Sequence, residues 1–263
     1  MELVNNSLEL FYDNGCGGRI FKVLIENKAY LVKCANYGQS VNEYVAQSVI
    51  AAIGLPAVPS VLVRIGHAEI KKAGLGGIPI DTFGAVEYVS GLKRVTDREI
   101  FKGGNRERMS RYCELLMLDS LLADDDDTVE VYETEDEKMI LLDLGEAITQ
   151  QPYLESALRK EPNAVVAFSL RCKMSSELMM VNRRIEQGKK YCQQRMGKYD
   201  YLDIGMIDNA AFSAIERLAR LDFRDLRQCF KGLEENYGIE ICEGYKLLFR
   251  RLRSTCRLIL KYR

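Results

Sequence analysis

Apolar positions in the first ninety residues fall in short runs of strand length. Residues 8–12, 21–26, 29–34, 58–65 and 85–88 are rich in β-branched and aromatic side chains, with Asn27-Lys28 as a turn between the second and third runs. One helix interrupts them. Val41, Val45, Val49 and Ile53 recur near helical spacing, Ser40 and Glu43 have the spacing of a capping box, and Gly54 and Pro56 mark the end. From about residue 105 the period changes. Residues 106–123 carry Met109, Tyr112, Cys113, Leu116, Leu121 and Leu122 on a broad apolar face. A strand pair at 129–132 and 139–143 follows, joined by the polar run 133–138. No proline occurs after Pro162, and the pattern predicts helices over 175–194, 208–222, 222–237 and 241–262, with Asp208 and Asp222 as N-caps and Gly238 as a stop. There is no internal repeat and no low-complexity linker. The expectation is an α+β chain of two lobes, β-rich over 1–91 and mainly helical over 92–263.

Composition narrows the class more than it defines it. A chain of 263 residues with 47% hydrophobic and 29% charged residues is ordinary for a globular protein, and a formal net charge of -1 gives no bulk attraction to nucleic acid or membranes. The charge is unevenly spread. Residues 119–143 hold eleven carboxylates against one lysine, while the chain beyond Glu243 is basic or neutral. The eight cysteines form no CxxC pair and His67 is the only histidine, so a zinc cluster is not expected, and the cysteines read as buried apolar residues of a reducing compartment. The N-terminus lacks the basic-then-apolar pattern of a signal peptide, and no stretch reaches the length of a membrane span. A cytoplasmic location is the expectation.

Chemistry gathers around one lysine. Lys33 closes the apolar strand Ala29-Tyr30-Leu31-Val32, upstream of it lies the glycine-rich turn Asp13-Asn14-Gly15-Cys16-Gly17-Gly18, and downstream Glu43 sits in the first helix. Val86-Glu87-Tyr88-Val89, the run Asp124-Asp125-Asp126-Asp127 and Asp143-Leu144-Gly145 follow. Gly15, Gly17 and Gly18 can let backbone N–H groups approach phosphate oxygens, although a plain hairpin turn uses glycine in the same way. A strand-end lysine and a glutamate in the next helix can pair to hold a phosphate-binding ammonium, although a capping-box glutamate needs no such role. Four consecutive aspartates repel one another unless solvated or bound to a cation, and the strand pair would return Asp143 towards them, a donor set suited to Mg²⁺. His67 reads as an ordinary loop or strand residue. The basic C-terminal helix reads as a solvated face opposite Leu247, Leu248, Leu252, Leu258 and Ile259, with a nucleic-acid or anionic-lipid patch as the alternative.

Tyr30-Leu31-Val32-Lys33, Asn42-Glu43-Tyr44, Ile53-Gly54-Leu55-Pro56-Ala57-Val58-Pro59 and Val86-Glu87-Tyr88 together resemble the HipA-like and CtkA-type serine/threonine kinases, bacterial relatives of the phosphoinositide-kinase-like fold. The resemblance covers about residues 13–148. It implies a two-lobed protein-kinase-like fold that binds ATP and Mg²⁺ and transfers a phosphoryl group to a serine or threonine of a protein substrate, with room for an antitoxin or other regulatory partner. By similarity Lys33 binds phosphate, Glu87, Tyr88 and Val89 form the hinge that holds adenine, and Asp143 binds metal. The catalytic loop departs from the family. Aligned without gaps from Asp119, Asp126 falls on the catalytic aspartate, but Thr128 replaces the family histidine and Val131 the metal-binding asparagine. A two-residue shift makes Asp124 the catalytic aspartate and puts Val129 at the asparagine position. Either Asp127 or Glu130 replaces that ligand, or the chain is a pseudokinase that binds nucleotide without efficient transfer. A third reading is a nucleic-acid-associated regulator that uses the basic C-terminal helix.

Overall fold

A computed structural model describes residues 2–4, 8–13, 19–122, 130–144 and 151–262. The N-terminal part carries a six-stranded sheet and the C-terminal part is mostly helical, so the α+β class stands. The sheet comprises β1 (Glu2–Val4), β2 (Glu9–Asp13), β3 (Arg19–Ile25), β4 (Lys28–Val32), β5 (Ser60–Ile65) and β6 (Thr82–Glu87), in the order β1-β5-β6-β4-β3-β2. Every pairing is antiparallel except the parallel contact of β1 with β5. The β3–β4 turn falls one residue earlier than its sequence suggests. Glu26 and Asn27 take positive φ values of 48° and 65°, the left-handed pair that matches the twist of a two-residue hairpin, and Lys28 already pairs with Ile25. Alternation sets the faces: Phe21, Val23, Ile25, Tyr30 and Val32 are buried, while Leu31 and Lys33 point the other way, into a cavity.

Helix α1 (Tyr37–Ala52) lies against β6 and is buried along most of its length. Gly84 is what permits that approach, since a Cβ there would meet the Ser40 carbonyl oxygen at 1.9 Å. The capping-box expectation fails here. The helix begins at Asn36 with no side-chain cap, so Ser40 and Glu43 sit inside it, and Ser40 Oγ instead donates to the Tyr37 carbonyl at 2.8 Å.

A short helix, α2 (His67–Lys72), begins at His67. Beyond β6, a second sheet is formed by β7 (Lys93–Arg94), β8 (Glu130–Glu133) and β9 (Met139–Leu142), with α3 (Asp97–Lys102) and α4 (Arg106–Leu122) between β7 and β8. The chain continues through α5 (Gln151–Leu158), α6 (Ala164–Ser175), α7 (Leu178–Gly197), α8 (Ile204–Arg220), α9 (Arg227–Tyr237) and α10 (Ile239–Lys261). Helix α4 packs against α7 and α8, and α10 runs along α6, α8 and α9. Two predicted caps move. Asp203 caps α8 by accepting from Met206 N at 2.8 Å, leaving Asp208 within the helix, and Asp222 accepts from Arg224 N at 2.9 Å in the turn before α9. Gly238 does end α9, with a φ of 95°. Leu258, expected on the inner face of α10, is exposed.

The described cysteines, 34, 113, 172, 192, 229, 242 and 256, are buried and free. Several of the basic groups on α10 have structural partners: Arg253 and Arg257 donate to the carbonyls of Leu221 and Ala219 at 3.1 and 2.8 Å, where the end of α8 presents unbonded carbonyls. Among the described residues no helix is long and apolar enough to cross a membrane.

Candidate nucleotide cleft

A cavity of about 350 Å³ opens between the two sheets. Its lining combines apolar walls, among them Leu31, Val58, Val86, Leu92 and Leu142, with the charged groups Lys33, Glu43, Glu130 and Asp143. Each charged group arrives at the end or inner face of an apolar element: Lys33 leaves β4, Asp143 leaves β9, and Glu43 looks out from the second turn of α1. Lys33 Nζ contacts Asp143 Oδ1 directly. Asp143 takes a left-handed backbone, φ 60°, where the chain leaves β9. Burial alone would lower the Lys33 pKa, but the charges of Glu43, Asp143 and Glu130 outweigh it and hold the ammonium above its ordinary value.

Glu43 is the buried member of the set, at 5% exposure. Its Oε1 accepts from Gln47 Nε2 at 3.0 Å, while Oε2 is buried with no hydrogen-bond partner. Burial pushes its carboxyl pKa up, and Lys33 and the Gln47 amide only partly oppose the shift. Glu130 is differently engaged: Tyr132 OH donates to it at 2.9 Å and Arg94 lies 3.2 Å away. Val131, between two cavity-lining residues on β8, points into the core at 2% exposure. No side chain at that position can reach the cavity, so the gapless alignment offers no metal ligand there.

Glu87, Tyr88 and Val89 line the same cavity. The N–H groups of Glu87 and Tyr88 are engaged with the carbonyls of Pro59 and Ala29 at 2.8 and 2.7 Å. At the mouth, Phe11 meets Tyr88 edge to face at 5.4 Å, with Lys22 Nζ 5.5 Å from the Tyr88 ring centre. The cavity thus joins Lys33, Glu43, Glu87, Tyr88, Val89, Glu130 and Asp143. Gly15, Gly17, Gly18, Asp124, Asp126 and Asp127 lie outside the described residues. Among the described residues no group of three or more His, Cys, Asp or Glu side chains is arranged to hold a metal. Sequence reasoning missed Phe11, Tyr132 and Gln47. Only Gln47 left a trace, four residues after Glu43 on one helical face.

No protein-family model and no curated protein matches the chain. Among solved structures, the crystal structure of the Helicobacter pylori proinflammatory kinase CtkA is similar at 12% identity and a TM-score of 0.47, covering 97% of this chain and 98% of that one. At that distance the likeness carries no weight for activity.

Proposed function

We propose that the cleft binds Mg·ATP and that the chain transfers the terminal phosphoryl group to a serine or threonine hydroxyl of a protein. The observation that carries this reading is one cavity whose lining joins apolar walls, the segment Glu87, Tyr88 and Val89, and Lys33 paired with Asp143 under the charge of Glu43. The residues suit the ligand. Leu31, Val58, Val86 and Leu142 can sandwich a flat base, and the Val89 backbone is the candidate to meet its edge, since the amides of Glu87 and Tyr88 are engaged in the sheet. Lys33, with its raised pKa, stays charged for the phosphates, and Asp143 offers hard oxygen donors for Mg²⁺. Bound Mg·ATP supplies the phosphoryl group and neutralises its oxygens. Lys33 must leave Asp143 for the phosphates, and Glu43 then becomes its carboxylate partner. Asp126, or Asp124 in the shifted register, would orient the attacking hydroxyl, and the two lobes, 1–91 and 92–263, would close over it.

A second reading, nucleotide binding without transfer, is favoured by Val131, whose side chain lies in the core where the family alignment calls for a metal-binding asparagine. Incubation with γ- or α-labelled ATP and Mg²⁺ or Mn²⁺, followed by mass spectrometry of the protein, separates the readings. Label from the γ position alone supports the kinase. Label from the α position indicates nucleotidyl transfer. Nucleotide binding without label leaves the pseudokinase.

A further inference from the structure

We infer that Gln47 is the positioning residue of this cleft, its one buried amide fixing the Glu43 carboxylate, the strand that delivers Asp143 and the Val58 wall in a single register; the inference rests on the nucleotide reading above. Gln47 is 1% exposed and its amide is bonded at both ends. Nε2 donates to Glu43 Oε1 at 3.0 Å and to the Leu141 carbonyl at 2.9 Å, and Oε1 accepts from Val58 N at 3.0 Å. These partners belong to three separate pieces of chain: α1, β9 and the segment between α1 and β5. Each piece contributes to the cavity, through Glu43, through Leu142 and Asp143, and through Val58 itself.

The chemistry demands an amide. Two donors and one acceptor in one plane are needed, which excludes carboxylates, ammonium groups and apolar side chains, and asparagine is one methylene short. The geometry also gives the bond to Glu43 a specific purpose. With Oε1 held by Gln47, the buried carboxylate is fixed where its charge acts on Lys33.

The test compares wild type with Gln47→Met, Gln47→Glu and, as a control for general loss of stability that includes the anchoring of α1 at its C-cap, Glu114→Gln, which disturbs the Arg111–Glu114–Arg217 cluster outside the cavity lining. Amide hydrogen exchange is read without ligand, and Mg·ATP affinity by calorimetry. Gln47→Glu keeps the acceptor for Val58 and loses both donors. Val58 should therefore stay protected in it while residues 139–144 exchange faster, and Mg·ATP affinity should fall about ten-fold or more. Gln47→Met should lose protection at both places and the same affinity, while Glu114→Gln binds like wild type. Affinity within about two-fold of wild type in both Gln47 variants overturns the inference. If wild type binds no Mg·ATP, the nucleotide reading fails, and exchange still decides the amide's role: unchanged protection at 55–59 and 139–144 in Gln47→Met overturns it. Should neither variant fold, wild-type exchange decides, because a Val58 amide that exchanges like an exposed loop is incompatible with the bond.

Discussion

At the scale of single residues, Glu43 and Val131 have opposite consequences. Burial raises the Glu43 pKa above its ordinary value of 4.5, so the folded chain holds this proton to higher pH than the unfolded chain does. The stability that the protonated form contributes is present below about 4.5 and is lost as pH rises through the folded value. Glu43→Gln carries no such proton, so its stability should not fall across that window. At neutral pH it should melt no lower than wild type, yet bind Mg·ATP about ten-fold more weakly, because Lys33 loses a carboxylate partner. Melting curves from about pH 4 to 8, with calorimetry at neutral pH, check both halves. A neutral-pH melting point several degrees below wild type would show that Glu43 chiefly stabilises the fold. For Val131 the core decides. Val131→Asn replaces buried methyl groups with an amide that has no partner, and should cost about 1–3 kcal/mol in urea unfolding without strengthening Mg²⁺ binding. Tighter metal binding in this variant would restore the gapless register.

At the scale of elements, packing on β6 is the sharpest constraint. A Cβ at Gly84 would lie 1.9 Å from the Ser40 carbonyl oxygen and 2.8 Å from Tyr44 Cβ, and the Ser40 carbonyl belongs to the α1 backbone. Gly84→Ala must push α1 off the sheet and should lose about 1–3 kcal/mol by chemical denaturation, whereas Gly76→Ala, with nothing within 4 Å, should change little. Equal stabilities for the two variants would show that α1 yields freely. The elements legible in the sequence were those with a clean period. The β-rich runs of β3 and β4 and the apolar spacing of α1 and α4 placed each to within a few residues. Helices α2 and α3, six residues each, are too short to show a period. Helix α6 hid for another reason: Phe168 and Cys172 are buried while Val166, Leu170 and Met174 are exposed, so apolar residues occupy both faces. The spacing of Ser40 and Glu43 suits a cap and a buried turn equally, and only the helix start at Asn36 separates them. Within the site, Lys33, Glu43 and Asp143 could be read because charges at the ends of apolar runs stand out. Phe11, Tyr132 and Gln47 could not, because their meaning depends on partners far along the chain or across a sheet.

At the scale of the molecule, the expected lobe boundary near residue 91 meets a set of bonds that cross it. Tyr245 OH donates to Asn42 Oδ1 at 2.6 Å, Tyr237 OH to the Thr82 carbonyl at 3.0 Å, and Arg217 Nη1 to the Ile53 carbonyl at 3.3 Å. Arg159 Nε reaches Tyr37 OH at 2.5 Å, and Gln47 reaches Leu141. Four of these five bonds fall on α1, from its first residue to its C-cap, so the helix is tied to the C-terminal part as well as to its own sheet. Asn42, at 0% exposure, would lose its tyrosine partner if residues 1–91 stood alone. The segment 1–91 expressed by itself is therefore expected not to fold, and the full chain to melt in one transition. The chain has 14 tyrosines and no tryptophan, so tyrosine fluorescence and far-UV circular dichroism give two independent probes. Coincident curves with equal calorimetric and van't Hoff enthalpies are the expected result. Mg·ATP at about one hundred times its dissociation constant should move that single transition upward, equivalent to about 2.7 kcal/mol of added stability. Two separated transitions, with only the lower one responding to Mg·ATP, would show that the lobes fold independently and that the bonds through α1 do not couple them.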